Sequence, residues 1–496
     1  MTPLPVAVHT ADQVRALDRY AIEQLRVPAY TLMTRAGEAA VRVLRECWPA
    51  ARRIVVVCGP GNNGGDGYVL ARLARELRLD VHTVALAEPD TLEGDARQAC
   101  NDYIASGGTT HVWDATCLDN ADVVVDAIFG VGLSRPVEGK MAQVIRSINA
   151  CTAARFALDI PSGLDADSGD VLGVAVVADR TLTFVGLKIG FYLGAAPDYT
   201  GTVSFDDLAL PAEALATVGV AARRIDESAI ARVLHPRRRT AHKGDHGRLL
   251  VVGGGIGMAG AARLVGEAAL RVGTGLVTIA TRPENVAAIV AGRPELMCRG
   301  VEQRSQIDAL IGPADVIAIG PGLGQDEWAQ AMFDAVLAAG KLTVLDADAL
   351  NLLAKAPQSH QQWIITPHPG EAGRLLQWTT AEIQADRLTA VRALAGRYGG
   401  VVVLKGAGTL VMGQDTFVSV CDRGNPGMAA PGMGDVLTGI VAGIAAQAPN
   451  LDEAARVGVL VHAMAGDLAT RRGQRGLIAS DLFAHLPTCV NPLPQR

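Results

Sequence analysis

Three segments in the first half of the chain combine glycine-rich turns with oxygen-bearing side chains. The first, residues 59–67, contains Asn62, Asn63 and Asp66. Backbone amides in a turn between a strand and a helix can bind a phosphate group. The GxGxxG spacing alone is weak evidence for a phosphate-binding turn, because a tight structural turn uses the same glycines. The two amides and the carboxylate add hard oxygen ligands that a plain dinucleotide-binding turn does not need.

The other two segments have an aspartate where a buried strand is expected to end. Asp126 precedes the glycine-rich stretch 130–136, and Asp159 precedes Ser162. Both acids could simply cap loops, and this interpretation stays open. Together with Asn63 and Ser162, however, they offer several oxygens to one monovalent cation.

The second half of the chain has a glycine-rich turn directly before a long apolar segment. Residues 425–435 include Gly432, Gly434 and Asp435, and an apolar helix is predicted from Asp435. Free amides at a helix start can hold the negative charge of a transferring phosphoryl group, and Asp435 could accept the proton of an attacking hydroxyl. A purely structural helix cap is the alternative.

Further turns of the second half also follow expected strands. Residues 405–409 (KGAGT) offer backbone donors to nucleotide phosphates, and residues 319–324 and 366–371 end two other strands. The chain contains no Walker A motif. Residues 253–261 satisfy GxGxxG, but no acid that could bind a ribose follows at the next strand end, which weakens a dehydrogenase interpretation. Close packing of helix on strand is another explanation for these glycines.

The elements that must position these residues alternate between strand and helix. In the first half we predict strands at 53–58, 81–87, 123–129 and 155–159, and helices at 11–47, 68–78, 91–106 and 142–150. In the second half we predict strands at 248–252, 276–280, 316–319, 342–346, 363–366 and 401–405, a hairpin at 409–420, and helices at 261–272, 327–337, 381–398 and 435–446. Because parallel strands need crossover helices, the predicted fold class is α/β, with ligands at the carboxyl ends of the strands.

Length and composition limit the possible classes of protein. A chain of 496 residues suits two domains. We place them at 1–218 and 225–496, on either side of a segment without a clear helix or strand pattern. The net charge of -6 argues against nucleic-acid binding, since the one dense basic run covers only residues 237–239. We expect no export signal and no membrane anchor. Eight cysteines without CxxC pairing favour free thiols in a reducing compartment, and therefore a cytoplasmic location.

The segments of the first half, with TFVGLK at 183–188, resemble the signature of the NAD(P)HX epimerase domain, which has a Rossmann-like fold and binds potassium. The resemblance implies Asp159 as the catalytic acid or base, and Asn63, Asp126 and Ser162 as K⁺ ligands. It implies substrate contacts at Asn62, Asn63, Gly64, Gly65, Asp66, Gly130, Val131, Gly132, Leu133, Ser134, Arg135, Pro136 and Asp159. Isoleucine stands at position 189 where proline is expected, which leaves the role of Lys188 open.

Four blocks of the second half resemble the ADP/ATP-dependent NAD(P)HX dehydratase family of the ribokinase-like superfamily. The blocks are LDADALN at 345–351, TPHPGE at 366–371, KGAGT at 405–409 and PGMGD at 431–435. The resemblance implies substrate contacts at Ala261, Gly322, His368 and Asp435, and a nucleotide site at Lys405, Gly406, Ala407, Gly408, Thr409 and Gly434. His368 could instead be an ordinary loop histidine.

Taken together, the two resemblances predict a repair enzyme for NADHX and NADPHX, the hydrated forms of NADH and NADPH. One domain would interconvert the R and S epimers, and the other would use ADP, with Mg²⁺, to dehydrate the S form to NAD(P)H, AMP and phosphate. We expect Asp435 to deprotonate the ring hydroxyl, because phosphate leaves more readily than water. We also expect a homo-oligomer. A vitamin or sugar kinase, and a nucleotide-sensing binding protein, are the alternatives.

Overall fold

The computed structural model describes residues 3–448 and 450–491 of the chain. The chain forms two compact units, Met1–Ala222 and Arg223–Arg496. Across the described ranges, none of the helices combines enough length with enough apolar character to span a membrane. The predicted α/β class with mostly parallel sheets is confirmed in both units.

The first unit is built on a seven-stranded parallel sheet in the order β4-β3-β2-β5-β6-β7-β9. Its strands are β1 (Ala7–His9), β2 (Arg53–Cys58), β3 (Asp80–Ala85), β4 (Thr110–Val112), β5 (Val123–Ala127), β6 (Ala154–Leu158), β7 (Arg180–Phe184), β8 (Leu187–Lys188) and β9 (Thr202–Asp206). The short strands β1 and β8 pair with each other in parallel. Valine-rich strands such as β2 and β5 are buried on both faces, as a parallel sheet covered by helices requires.

The helices of the first unit lie on both faces of this sheet. They are α1 (Ala11–Glu23), α2 (Ala29–Cys47), α3 (Asn62–Glu76), α4 (Gly94–Ala105), α5 (Gly139–Ala150) and α6 (Ala212–Leu215). One apolar core includes Leu44, Leu70 and Phe156, and a second includes Val55 and Ile145. The sheet is therefore covered from two sides, and its carboxyl edge is left open for a site.

The single helix predicted over residues 11–47 is wrong, because the chain forms α1 and α2 there. Arg26 takes a positive φ of 57°, and Pro28 stands directly before α2. Proline has no N–H to donate and pushes the preceding residue out of the helical region, so one continuous helix cannot pass this point.

Helix α3 begins at Asn62, six residues before the predicted start at 68. The glycines 64, 65 and 67 therefore belong to the first turns of a helix and not to a loop. A Cβ on Gly64 would lie 2.1 Å from the carbonyl oxygen of Gly59, and one on Gly67 would lie 2.6 Å from the Cβ of Ala127. Glycine is required here because the helix packs directly on backbone and strand.

The second unit contains a longer sheet in the order β13-β12-β11-β14-β15-β16-β17-β18-β19, with β10 beyond β19. Its strands are β10 (Ala222–Arg224), β11 (Arg248–Val252), β12 (Leu276–Thr281), β13 (Met297–Gly300), β14 (Val316–Ile319), β15 (Leu342–Leu345), β16 (Trp363–Ile365), β17 (Val401–Leu404), β18 (Leu410–Met412) and β19 (Val418–Val420). The pairs from β13 to β17 are parallel, whereas β18 runs antiparallel to β17 and β19. The last two strands form the predicted hairpin.

The helices of the second unit are α7 (Ser228–Val233), α8 (Ala259–Arg271), α9 (Val286–Gly292), α10 (Arg304–Ile311), α11 (Glu327–Ala338), α12 (Ala347–Lys355), α13 (Pro369–Leu376), α14 (Thr380–Ala385), α15 (Arg387–Tyr398), α16 (Met433–Ala445), α17 (Leu451–Ala469) and α18 (Leu486–Val490). Val265, Ile440 and Leu460, from α8, α16 and α17, belong to its central core. The single helix predicted at 381–398 is wrong, because Asp386 leaves the helical conformation and caps α15 by accepting a hydrogen bond from the Thr389 amide.

Candidate active sites

A cavity of about 550 Å³ opens in the first unit, where β2, β5 and β6 end. Helices α1 and α2 form part of its wall. Of the predicted substrate contacts, the cavity is lined by Asn62, Asn63, Asp66, Gly130, Val131, Gly132, Leu133, Ser134, Arg135 and Asp159. Gly64 and Gly65 are instead buried inside α3, and Pro136 lies exposed just beyond the lining. The cavity joins three segments that are separate in sequence.

Asp159 lies at the end of β6 in an unusual backbone conformation, with a positive φ of 64°. Its amide donates to the carbonyl of Leu182 at 2.7 Å, and its Oδ2 accepts a hydrogen bond from the Val131 amide at 3.3 Å. A Cβ on Gly130 would lie 2.9 Å from this Oδ2, so glycine is needed beside the carboxylate. The carboxylate is thereby held at the cavity wall.

Lys188, whose role the sequence left open, forms an ion pair with Asp159. Its side chain is completely buried, while that of Asp159 is 15% exposed. The ammonium group also donates to Thr183 Oγ1 at 2.6 Å and to the Phe184 carbonyl at 3.2 Å. Three acceptors therefore fix the ammonium group behind Asp159, which compensates for its burial.

Two more carboxyl groups line the same cavity. Asp18 comes from α1 and Asp66 from α3. Burial raises the pKa of Asp18 to about 6, against the lowering effect of Lys188, and raises the pKa of Asp66 well above its usual range. Sequence reasoning missed Asp18, because a single aspartate on an amphipathic helix gives no signal that it faces a cavity.

The three predicted cation ligands come together beside the cavity. The fully buried Asp126 accepts hydrogen bonds from the Ser162 amide at 2.8 Å and the Ser162 hydroxyl at 2.6 Å, and burial raises its pKa to about 6. Asn63 donates through Nδ2 to the Phe129 carbonyl at 3.0 Å. Its Oδ1 is buried and has no hydrogen-bond partner among the described residues. A buried acceptor without a donor is a place that a cation can fill.

In the second unit, the glycine-rich turn before α16 has the geometry of an anion site. Gly432 caps α16 in the left-handed conformation, with φ of 85°, and the helix begins at Met433, two residues earlier than predicted. The amides of Gly434 and Asp435 therefore belong to the first turn, where a helix has amides free to donate. The side chain of Asp435 lies at this same helix end.

Lys405 lies in a buried network near this turn. Its ammonium group contacts Asp346 Oδ1 at 2.6 Å and Glu371 Oε2 at 3.6 Å. Thr438, on α16, donates its hydroxyl to the other Asp346 oxygen at 2.6 Å. Burial lowers the pKa of Lys405, but the two carboxylates raise it more, so that the net change is upward. A Cβ on Gly434 would lie 3.6 Å from the ammonium nitrogen, which places the charge directly beside the anion site.

The surroundings of Asp435 shift its pKa in opposite directions. Burial raises its pKa to about 6, the Asp346 carboxylate raises it as well, and the Lys405 ammonium lowers it. A carboxyl group with this pKa is mostly ionised at neutral pH and still binds a proton better than an ordinary aspartate. Asp435 is therefore suited to accept a proton from a hydroxyl group.

Four of the predicted nucleotide residues, 406–409, form a partly exposed turn after β17. Gly406 and Gly408 have φ of 137° and 61°, and the Thr409 hydroxyl donates to the Gly406 carbonyl at 2.8 Å. Arg387, which sequence reasoning missed, is buried and donates to the Leu404 and Lys405 carbonyls, each at 3.2 Å. This guanidinium group fixes the base of the turn. Ala407 lies exposed at its tip.

The remaining predicted contacts lie in two places. Gly322, with φ of 59°, packs against Ala261, since a Cβ on Gly322 would lie 3.1 Å from the Ala261 Cβ. His368 caps α13, where its Nδ1 accepts from the Gly370 amide at 3.0 Å and its own amide donates to Glu371 at 2.8 Å. The side chain of His368 is 51% exposed, and its Nε2 lies 3.4 Å from Oε1 of Glu371.

Two family models match the chain. The NAD(P)H-hydrate dehydratase model matches residues 249–488, and the model of the YjeF-related protein N-terminus matches residues 29–190. The chain is 46% identical to the bifunctional NAD(P)H-hydrate repair enzyme of Coxiella burnetii, over 97% of this chain and 98% of the relative. It is 45% identical to the enzyme of the same name from Escherichia coli, over 99% of this chain and 95% of the relative.

Solved structures resemble the second half. The ADP/ATP-dependent NAD(P)H-hydrate dehydratase of Bacillus subtilis, co-crystallised with ATP and Mg²⁺, aligns with a TM-score of 0.50 and 31% identity, covering 54% of this chain and 96% of that one. A ribokinase-like superfamily protein of Enterococcus faecalis aligns with a TM-score of 0.51 and 29% identity, covering 55% of this chain and 96% of that one. The range of the dehydratase family model, residues 249–488, includes the anion site before α16.

Proposed function

The chain belongs to the family of bifunctional NAD(P)H-hydrate repair enzymes, and from this premise we propose which residues carry each of its two reactions. The protein is an epimerase and a nucleotide-dependent dehydratase for hydrated NADH and NADPH. We assign the epimerase to residues 1–218 and the dehydratase to residues 225–496. The observation that carries the assignment is that each unit holds one candidate catalytic aspartate, Asp159 or Asp435, at a site suited to phosphate groups.

In the epimerase, we propose that the substrate's pyrophosphate binds to the amides at the start of α3 and in the 130–136 turn. The hydrated nicotinamide ring then lies against Asp159. The reacting carbon carries a hydroxyl next to the ring nitrogen, so that its configuration is lost when the carbon–oxygen bond breaks and forms again. The carboxylate of Asp159, held by Lys188 and the Val131 amide, is positioned to assist this exchange.

We propose that Asn63, Asp126 and Ser162 hold a potassium ion beside this cavity. The unpartnered Oδ1 of Asn63 and the buried carboxylate of Asp126 fit a monovalent cation with oxygen ligands. When bound, the ion neutralises a buried negative charge and orders the 129–130 segment. Asp126 and Ser162 already hold each other in place by hydrogen bonds.

In the dehydratase, we propose that Asp435 removes the proton from the ring hydroxyl, which then attacks the terminal phosphorus of ADP. The amides at the start of α16 stabilise the charge on the transferring phosphoryl group, and Lys405 provides a fixed positive charge next to them. AMP leaves in this transfer. Phosphate then leaves the ring carbon while the adjacent ring carbon loses a proton, and the carbon–carbon double bond that forms regenerates NADH or NADPH. Phosphorylation is needed because hydroxide is a poor leaving group.

The use of a nucleotide fits the second unit, and we propose ADP as the donor and Mg²⁺ as its counter-ion. Within the part of the chain that the structure describes, no group of three or more His, Cys, Asp or Glu side chains could hold a metal ion. A magnesium ion would therefore be held largely by the nucleotide's own phosphates and water, as is usual for this ion. Residues 405–409 and Gly434 would hold the nucleotide, and Ala261, Gly322 and His368 the substrate.

We further propose that the enzyme works in the cytoplasm as a homo-oligomer and acts on small molecules, not on nucleic acid. All eight cysteines are free thiols, which agrees with a reducing compartment. Light scattering on the purified protein measures its mass in solution and tests the oligomer, and a mass of one chain would contradict it.

The test uses the full-length protein and separated R and S epimers of hydrated NADH. Without ADP, we expect the epimers to interconvert and no dihydronicotinamide absorbance to return. With ADP, we expect absorbance to return from both epimers, with one AMP and one phosphate for each NADH. Accumulation of a stable phosphorylated nucleotide without absorbance would instead indicate an ordinary kinase and contradict the proposal.

A further inference from the structure

Asp18 lines the epimerase cavity but has no part in the reaction described above. It lies on α1, between the buried residues Leu17 and Ala21, and faces the cavity that Asp66 and Asp159 also line. Its charge interacts with Lys188 and Asp159. Asp18 is therefore a carboxyl group next to the proposed reacting centre, supplied by a different element from the other two.

The cavity holds more carboxyl groups than its one buried ion pair uses. The lining includes Asp18, Asp66, Asp95 and Asp159, together with the guanidinium groups of Arg15 and Arg135. Among the described residues, Lys188 is paired with Asp159, and neither Asp18 nor Asp66 forms an ion pair. Burial disfavours an unpaired carboxylate, which means that Asp18 binds a proton more readily than an ordinary aspartate and that Asp66 tends to keep its proton. The cavity thus contains one ion-paired carboxylate and at least one carboxylic acid.

Asp18 is better suited than Asp66 to exchange this proton. Burial raises the pKa of Asp18 to about 6, close to neutral pH, whereas it raises the pKa of Asp66 well above its usual range. A general acid must both lose and regain its proton in each turnover, and it does so best when its pKa is near the working pH. The proton of Asp66 is held more tightly, which favours a hydrogen-bonding role in the phosphate site.

We propose that Asp18 is the general acid of the epimerase and protonates the hydroxyl group that leaves the nicotinamide ring. The inference rests on the proposed epimerase cavity around Asp159. The proton passes from the Asp18 carboxyl to the hydroxyl oxygen, the carbon–oxygen bond breaks, and water departs with the bonding electrons. The lone pair of the ring nitrogen forms a carbon–nitrogen double bond, which leaves a cyclic iminium cation. The carboxylates of Asp159 and Asp18 then stabilise this cation.

The reverse step completes the exchange. The planar ring turns about its bond to the ribose, so that its other face meets Asp18. Water adds to this face of the iminium carbon and forms a new carbon–oxygen bond, while the π electrons return to the ring nitrogen. The extra proton of the added water returns to the carboxylate of Asp18. Atoms, electrons and charge balance without an oxidant, a reductant or a cofactor, and the net result is the other epimer.

This chemistry predicts a pH dependence. The charged groups that act on Asp18 are Arg19 on α1, Lys188 on β8, Asp66 on α3 and Asp159 after β6. The cavity lining adds Arg15 on α1, Asp95 on α4 and Arg135, and His9 on β1 lies near Lys188. Because the acid form of Asp18 is required, we expect the epimerisation rate to fall as the pH rises above about 6. Replacing Asp18 by asparagine should remove this part of the pH profile, which a purely structural residue would not do.

The experiment compares the full-length protein with Asp18→Asn and with Glu23→Gln, an exposed acid-to-amide change on the same helix. Each protein is mixed with one separated epimer in water labelled with heavy oxygen, without ADP. We expect Asp18→Asn to slow both epimerisation and label uptake by roughly 10²-fold or more, and Glu23→Gln to change neither. Dehydration of the S epimer with ADP should be the same in all three.

Protein stability provides an independent measurement. Asp18 keeps a raised pKa in the folded state, so its ionisation disfavours the fold as the pH rises through about 6. Asp18→Asn should therefore melt at the same temperature as the wild type, or higher, at pH 8. Lost epimerisation together with a lower melting temperature would indicate a structural role and overturn the inference.

Two further outcomes separate this inference from the proposed function. If Asp18→Asn epimerises at the wild-type rate, or if only Asp66→Asn slows the reaction, Asp18 is not the acid, while the epimerase assignment stands. Epimerisation without uptake of labelled oxygen would overturn the loss of water. If the wild-type protein does not interconvert the epimers at all, the proposed epimerase and this inference both fail.

Discussion

Both units place a buried lysine beside an aspartate, but the lysine serves a different group in each. In the first unit, Lys188 is paired with Asp159, the proposed catalytic carboxylate itself. In the second, Lys405 is paired with Asp346 and lies near Glu371. The catalytic candidate Asp435 forms no ion pair with the described residues, but Asp346 raises its pKa and Lys405 lowers it. The difference suggests that a carboxylate needed as a lasting charge is paired, whereas one that must exchange a proton stays unpaired among opposing charges.

The largest effect should come from removing the unpaired carboxylate. Asp435→Asn removes the proposed base, so we expect ADP-dependent dehydration to fall by roughly 10²–10⁴-fold. Epimerisation should not change, since Asp435 belongs to the other unit. The measurement is the initial rate of dihydronicotinamide formation from the S epimer. Asp334→Asn, an exposed change on α11, is the control, and equal rates for the two variants would contradict the role of Asp435.

The paired carboxylate should respond to loss of its lysine in stability as well as in activity. Lys188→Met leaves the mostly buried Asp159 without its cation, and removing one partner of such a pair costs about 3–5 kcal/mol of unfolding free energy. Urea denaturation of the wild type, of this variant and of Lys140→Met, an exposed lysine on α5, measures the loss. Equal unfolding midpoints for both variants would show that the pair contributes no stability.

A smaller loss of stability is expected when the hydrogen bond between Thr438 on α16 and Asp346 is removed. Thr438→Val keeps the side-chain shape but removes the hydroxyl that donates to Asp346 Oδ2 at 2.6 Å. Because the acceptor is a buried carboxylate, we expect a loss of about 1.5–3 kcal/mol in unfolding free energy. Thr389→Val, on an exposed face of α15, is the matched control. If both variants unfold at the same urea concentration, the hydrogen bond is not important for the fold.

The smallest effect is a shift in the pH dependence of dehydration, which depends on the ionisation of Asp435. Asp435 must be ionised, so dehydration should slow as the pH falls below about 6. The negative charge of Asp346 raises the pKa of Asp435, and Asp346→Asn should therefore move this limit to lower pH. The measurement is the pH profile of kcat for the S epimer. A shift to higher pH would have the wrong sign for this arrangement of charges.

Much of the fold was predictable from apolar patterns in the sequence. The strands β2, β11 and β14 coincide with their predicted bounds, because short valine- and isoleucine-rich runs between turns can form little else in a parallel sheet. The breaks after α1 and α14 were missed, since apolar spacing continues across Pro28 and Asp386. The long helix α17 was missed as well, although Asn450 caps it by accepting from the Asp452 and Glu453 amides.

The candidate sites were predictable only where a motif marked them. The structure brings Asn63, Asp126 and Ser162 together, and it places Asp159 at a cavity and Asp435 at a helix start. Their roles nevertheless stay predictions. Asp18 and Arg387 were missed, because their importance depends on contacts between elements far apart in sequence. Burial and charge pairing are properties of the folded chain.

The glycines at the start of α3 show that one motif can contain positions under very different constraints. A Cβ on Gly61 would meet nothing within 4 Å, whereas one on Gly64 would collide with the Gly59 carbonyl. The folded chain itself therefore leaves room for a side chain at position 61, whereas position 64 can change only if the preceding turn is rebuilt as well. Of these two glycines, only Gly64 is therefore required by the packing of the fold itself.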